Sequence, residues 1–93
     1  MTRKTKITLR QLEIFLSAVE HRSFVKAAAS LGLTASAVSM QMTAFGNEIG
    51  IQLFEKEGRS IRPTLLATAL LPHAHRMLET TDAIEQPHLS GPC

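Results

Sequence analysis

Apolar residues recur at helical spacing from the ninth position onward. Leu9, Leu12, Ile14, Phe15, Leu16 and Val19 keep that period behind Thr8-Leu9-Arg10-Gln11. The T-x-x-Q pattern is a capping box, in which the Thr8 hydroxyl and the Gln11 amide satisfy orphan N–H groups of a first turn. A first helix is therefore predicted over residues 9–20. His21-Arg22-Ser23 breaks it, with Ser23 placed to cap a second helix over 24–31. Ala27-Ala28-Ala29 dominates that helix, and such small side chains let a neighbouring helix come close. Gly32 supplies the left-handed residue that ends it, and Leu33 returns to the core. Thr34 then caps a third helix running to about residue 49, with Ala37, Val38, Met42, Phe45 and Ile49 as its inward stripe and Gly50 closing it.

After residue 50 the pattern changes. Segments 52–56 and 60–62 flank Glu57-Gly58-Arg59, which predicts a small β-hairpin. Pro63-Thr64 ends the hairpin, and Thr64 caps a fourth helix over 65–85 whose apolar face holds Leu66, Leu70, Met77, Leu78 and Ile84. Pro72 lies inside this helix, removes the hydrogen bond to the Thr68 carbonyl and predicts a kink. Residues 86–93, with Pro87, Gly91 and Pro92, read as a disordered tail. The fold class is mainly α: a winged helix-turn-helix of three helices and a hairpin wing, followed by a long linker or dimerisation helix. The expected division is 1–64 for the winged unit with its basic arm, and 65–93 for the linker helix and tail.

Composition narrows this picture. A chain of 93 residues has room for one core and not for a two-lobed enzyme. With four Phe, no Trp and no Tyr, the core is expected to be aliphatic. The net charge of +2 says little, but its placement says more. Arg3, Lys4, Lys6 and Arg10 open the chain without an acid among them, and Arg59 with Arg62 forms a second basic spot. Basic ends suit an anionic partner; a merely solvated terminus fits the charges equally well.

The single Cys93 provides neither a disulfide framework nor a Cys metal site, which fits a reducing compartment. The uncharged stretch 27–47 is punctuated by Ser, Thr, Gln and Asn, so neither a membrane span nor a signal peptide is expected. The chain reads as cytoplasmic. His73 and His75, two positions apart on a helix, point to different sides and share no metal easily. No carboxylate pair, phosphate-cradling glycine loop or Ser/His/Asp arrangement is visible. Neither an enzymatic activity nor a cofactor is expected.

The segment from Phe24 to Thr43, FVKAAASLGLTASAVSMQMT, meets the steric demands of a helix-turn-helix. Ala28 sits where two helices cross, Gly32 occupies a turn that needs positive φ, and Val38 points back into the same contact. An ordinary helical hairpin with an alanine-rich interface is the plainer alternative. In a helix-turn-helix the third helix enters the major groove. Its outward residues are Ala35, Ser36, Ser39, Met40 and Thr43, with Gln41 nearby. Hydroxyls can bond phosphates or bases, Gln can read adenine, and Ala or Met can touch a thymine methyl. This helix carries no Arg or Lys, so attraction to phosphate must come from Arg59, Arg62 and the basic arm.

The segments LRQLEIFLSAVEHRSFVKAAASLGLTASAVSMQM, EIGIQLFEKEGRSIRPT and ATALLPHAHRML together resemble the N-terminal domain of LysR-type transcriptional regulators. The resemblance runs in order from Leu9 to Leu78. It implies a bacterial transcription regulator that binds double-stranded DNA and forms a homodimer, or a tetramer, through antiparallel linker helices. It places DNA contacts on Thr34, Ala35, Ser36, Ser39, Met40 and Gln41, and on Arg59 with Arg62 close by. The family's effector domain is not expected within this chain. Three departures stand out: Ala35-Ser36 replaces a frequent Gln-Pro, Met40 a frequent Arg, and Leu65-Leu66-Ala67 the usual Glu-Ala-Gly. The first two motivate a rival reading, a winged-helix protein-interaction module that has lost DNA affinity.

The fourth helix supports the dimer independently. A projecting helix of this length is unstable unless its apolar face is covered. Burying Leu66, Leu70, Met77 and Ile84 contributes about 6 kcal/mol per chain in transfer free energy, before the costs of association. An isologous dimer is the simplest cover; a downstream domain, or folding back onto the core, are the others.

Overall fold

The computed structural model describes residues 5–86, so Arg3, Lys4 and the segment 87–93 with Cys93 lie outside the described residues. At Thr8 the reciprocal cap forms as its sequence suggests. The Thr8 hydroxyl accepts from the Gln11 N–H at 3.1 Å, and the Thr8 N–H donates to Gln11 Oε1 at 3.0 Å. Helix α1 (Leu9–His21) follows and stops at Arg22, which takes a left-handed conformation with φ 55°. The Arg22 carbonyl accepts from the Ile61 N–H at 3.2 Å, tying this turn to the hairpin that comes later in the chain.

Ser23 caps α2 (Phe24–Leu31) by accepting from the Lys26 N–H at 3.1 Å. Gly32 closes α2 at φ +69°, a conformation that would strain any side chain with a Cβ. The Leu33 N–H then returns to the Ala28 carbonyl at 2.9 Å. Thr34 opens α3 (Ala35–Ile49), its hydroxyl oxygen accepting from the Ala37 N–H at 3.0 Å. Ala28 and Val38, from either side of the turn, are both buried in one core cluster.

Strands β1 (Phe54–Glu57) and β2 (Ser60–Pro63) pair antiparallel, with Glu55 opposite Arg62 and Lys56 opposite Ile61. Gln52 stays outside the ladder that the sequence suggested for it, as does Leu53. Leu53 is drawn into the core, and Thr64 takes both carbonyls: its hydroxyl donates to Gln52 at 2.6 Å and its N–H to Leu53 at 2.9 Å.

The continuous fourth helix over 65–85 is corrected to two helices, α4 (Leu65–Thr68) and α5 (Leu71–Glu85). Pro72 has no N–H to offer the Thr68 carbonyl, and its ring would collide with that oxygen. The chain therefore tightens at 69–70, where the Leu70 N–H bonds the Ala67 carbonyl at 2.9 Å, and restarts with Pro72 in the first turn of α5. Ala67 and Ala74 are fully buried in the same core as α1, and α5 packs along α1.

The expectation of an aliphatic core is also corrected. Phe15 and Phe45 are the largest fully buried side chains, and all four phenylalanines form one chain of ring contacts. Phe45 meets Phe15 at 5.7 Å, Phe15 meets Phe54 at 5.8 Å, and Phe54 meets Phe24 at 5.4 Å between centroids. These contacts join α3, α1, β1 and α2 in turn. Few aromatics suffice because all of them converge on one place. Among the described residues, no helix is long and apolar enough to cross a membrane.

Candidate nucleic-acid interface

Helix α3 turns Val38, Met42 and Phe45 into the core. At 100° per residue, Ser36, Met40, Thr43 and Asn47 then share the opposite side. All four are exposed, Met40 by 70%. Ser39 is exposed at the edge of this row, where α3 borders a shallow groove floored by Phe24, Phe54 and Ile61. The row offers hydroxyls, one amide and one thioether, with no formal charge between Ala35 and Asn47.

The other nominated residues of this helix sit differently. Thr34 is exposed, and its oxygen is used as the cap acceptor, which leaves the hydroxyl proton to be donated outward. Ala35 and Gln41 are half-buried on the two flanks of α3 and not on its outer row. Asn47 was missed by the sequence reading, although the 36–40–43 spacing extends to it directly. Thr43, noted for its outward position, takes its place in the same row.

A second residue without an earlier role brings the wing close to α3. A Cβ on Gly46 would lie 2.9 Å from the Ile51 carbonyl oxygen. That carbonyl can approach only because Gly46 has no side chain, and the Gly46 carbonyl in turn accepts from the Gly50 and Ile51 N–H groups at 2.8 and 3.1 Å. Glycine inside a helix costs about 0.5–1 kcal/mol relative to alanine. Here the close approach accounts for it.

The two wing arginines differ in charge environment. Arg59, at the hairpin turn, is exposed and makes no ion pair among the described residues. Arg62 donates from Nε to Glu55 at 3.0 Å and from Nη1 to Glu57 at 3.2 Å. The structure therefore groups the outer row of α3, the groove and the Arg59 turn on adjoining elements, while the charge of Arg62 is answered within the hairpin. Of the apolar residues nominated for pairing, Leu66, Met77 and Ile84 are 64%, 48% and 72% exposed, whereas Leu70 is half-buried against the core. Met77 and Ile84 lie one heptad apart and share a face of α5.

Comparison with known proteins gives a consistent family. The model described as "Bacterial regulatory helix-turn-helix protein, lysR family" matches residues 9–68. The chain is 45% identical over 80 residues to the HTH-type transcriptional regulator CfxR of Cupriavidus necator, covering 85% of this chain and 25% of that protein. Solved structures of similar fold include complexes with DNA. The BenM_DBD/benA site 1 DNA complex has 31% identity and a TM-score of 0.79, covering 91% of this chain and 99% of that one. The CbnR_DBD-DNA complex has 26% identity and a TM-score of 0.81, covering 94% and 100%. The chain spans about a quarter of the length of most of the curated relatives it matches, and about half of one.

Proposed function

This chain belongs to the lysR family of bacterial regulatory helix-turn-helix proteins, and from that membership we propose that it binds double-stranded DNA, seating α3 in the major groove as the DNA-reading part of a transcription regulator. The exposed, uncharged row of α3, bordering one groove with a hairpin whose turn exposes Arg59 without an ion pair among the described residues, is the observation that carries this reading. Ser36, Ser39, Met40, Thr43 and Asn47 present to base edges, with Thr34, Ala35 and Gln41 flanking them. Arg59 contacts backbone phosphate and sets register without reading sequence. DNA in the bacterial cytoplasm fixes where the chain works, and its role is regulatory rather than enzymatic.

Residues 1–64 bind DNA and residues 65–93 join two copies. The exposed apolar side chains of Leu66, Met77 and Ile84 support pairing through the C-terminal helices, with Leu70 contributing from its half-buried position. The boundary at 64 divides tasks and not packing, since Ala67 and Ala74 belong to the common core.

Competition binding with a panel of duplexes tests the division of labour. Arg59→Ala is expected to weaken binding to every sequence alike, whereas Ser39→Ala or Gln41→Ala changes the order of preference. An Arg59→Ala variant that altered preference alone contradicts it. Affinity for random duplex must also fall as salt rises; affinity that ignores salt would move the surface to a protein partner.

A further inference from the structure

The hairpin register places Arg62 directly opposite Glu55, with Glu57 two positions along the same strand. Side chains alternate along a strand, so these three share one face, and Lys56 and Ile61 occupy the other. The guanidinium gives Nε to one carboxylate and Nη1 to the second. Two carboxylates around one guanidinium leave a local charge of −1, which repels an approaching phosphate. To reach a backbone, Arg62 would have to leave both partners. Arg59 has no such competitor among the described residues.

Resting on the duplex-binding reading above, we infer that Glu55 and Glu57 set the DNA affinity of the wing by holding Arg62 away from the phosphate backbone. Arg59 is then the working phosphate contact of the hairpin. Attraction to phosphate is the same for every sequence, so this restraint lowers affinity for all duplexes alike and leaves the choice among sequences to the α3 row.

The test measures binding to random duplex DNA across a salt series for the parent chain, Glu55→Gln/Glu57→Gln, Arg62→Ala and the triple variant. The three side chains are 43–51% exposed, so the substitutions leave the core untouched, and circular dichroism checks this. The double variant is expected to bind several-fold more tightly at low salt. Its slope of log affinity against log salt steepens by about one, the increment of one added phosphate contact. Arg62→Ala alone leaves the parent slope unchanged, and in the triple variant the gain disappears. A gain that persists without Arg62 reflects bulk charge and overturns the inference. So does a double variant that binds no more tightly, or a parent that loses as much from Arg62→Ala as from Arg59→Ala. In these outcomes the parent still binds duplex; a parent that binds none overturns the duplex reading as well.

Discussion

The helix-turn-helix and the C-terminal helices complete themselves to different degrees. In the first, Thr8, Ser23 and Thr34 each cap the helix that follows with their own side chain, and Gly32 lets Ala28 and Val38 reach one core. In the second, α5 begins without a side-chain cap, and Met77 and Ile84 stay largely in solvent while Ala74 alone is buried. The first unit has settled its interactions internally and exposes a polar row. The second has spent one face on α1 and keeps an apolar stripe open. A surface that is polar and uncharged suits a polar ligand edge, and one that is apolar and periodic suits another helix.

Substitution can break this contrast at several points. Phe15→Ala should have the largest effect, because Phe15 is fully buried and touches both Phe45 and Phe54. A loss of about 3–5 kcal/mol in urea unfolding is expected. Gly32→Ala comes next, at about 1–2 kcal/mol, since the new Cβ meets open space and only the left-handed backbone is penalised. Met77→Asp/Ile84→Asp should change the stability of the isolated fold least, by less than about 0.5 kcal/mol. Sedimentation should nonetheless show that pairing is lost. Were this last variant to unfold the chain, the contrast between a closed and an open half would fail.

Much of the fold was legible because its signals are local. The caps at Thr8, Ser23, Thr34 and Thr64 depend on residues three positions apart, and the turn at Gly32 on a single backbone angle. The break at Pro72 was foreseen as a kink and emerged as a full interruption, because one missing donor and one steric clash fall on the same turn. What the sequence hid is non-local. The convergence of four phenylalanines depends on how α1, α2, α3 and β1 stack. The need for glycine at 46 depends on where Ile51 passes, and the capture of Arg62 depends on strand register. Within the site, the outward row of α3 was readable from spacing as far as Thr43, and Asn47 needed only one more step. The flank positions of Ala35 and Gln41 required the true direction of the core.

Duplex DNA titrated into isotopically labelled protein, followed by amide chemical shifts, tests the central claim most directly. Shifts confined to the α3 surface from Thr34 to Asn47 and the Gly58–Arg59 turn, with Met77 and Ile84 unmoved by the DNA, are the expected result. Shifts centred on the Met77 and Ile84 face, or none on α3, would contradict it.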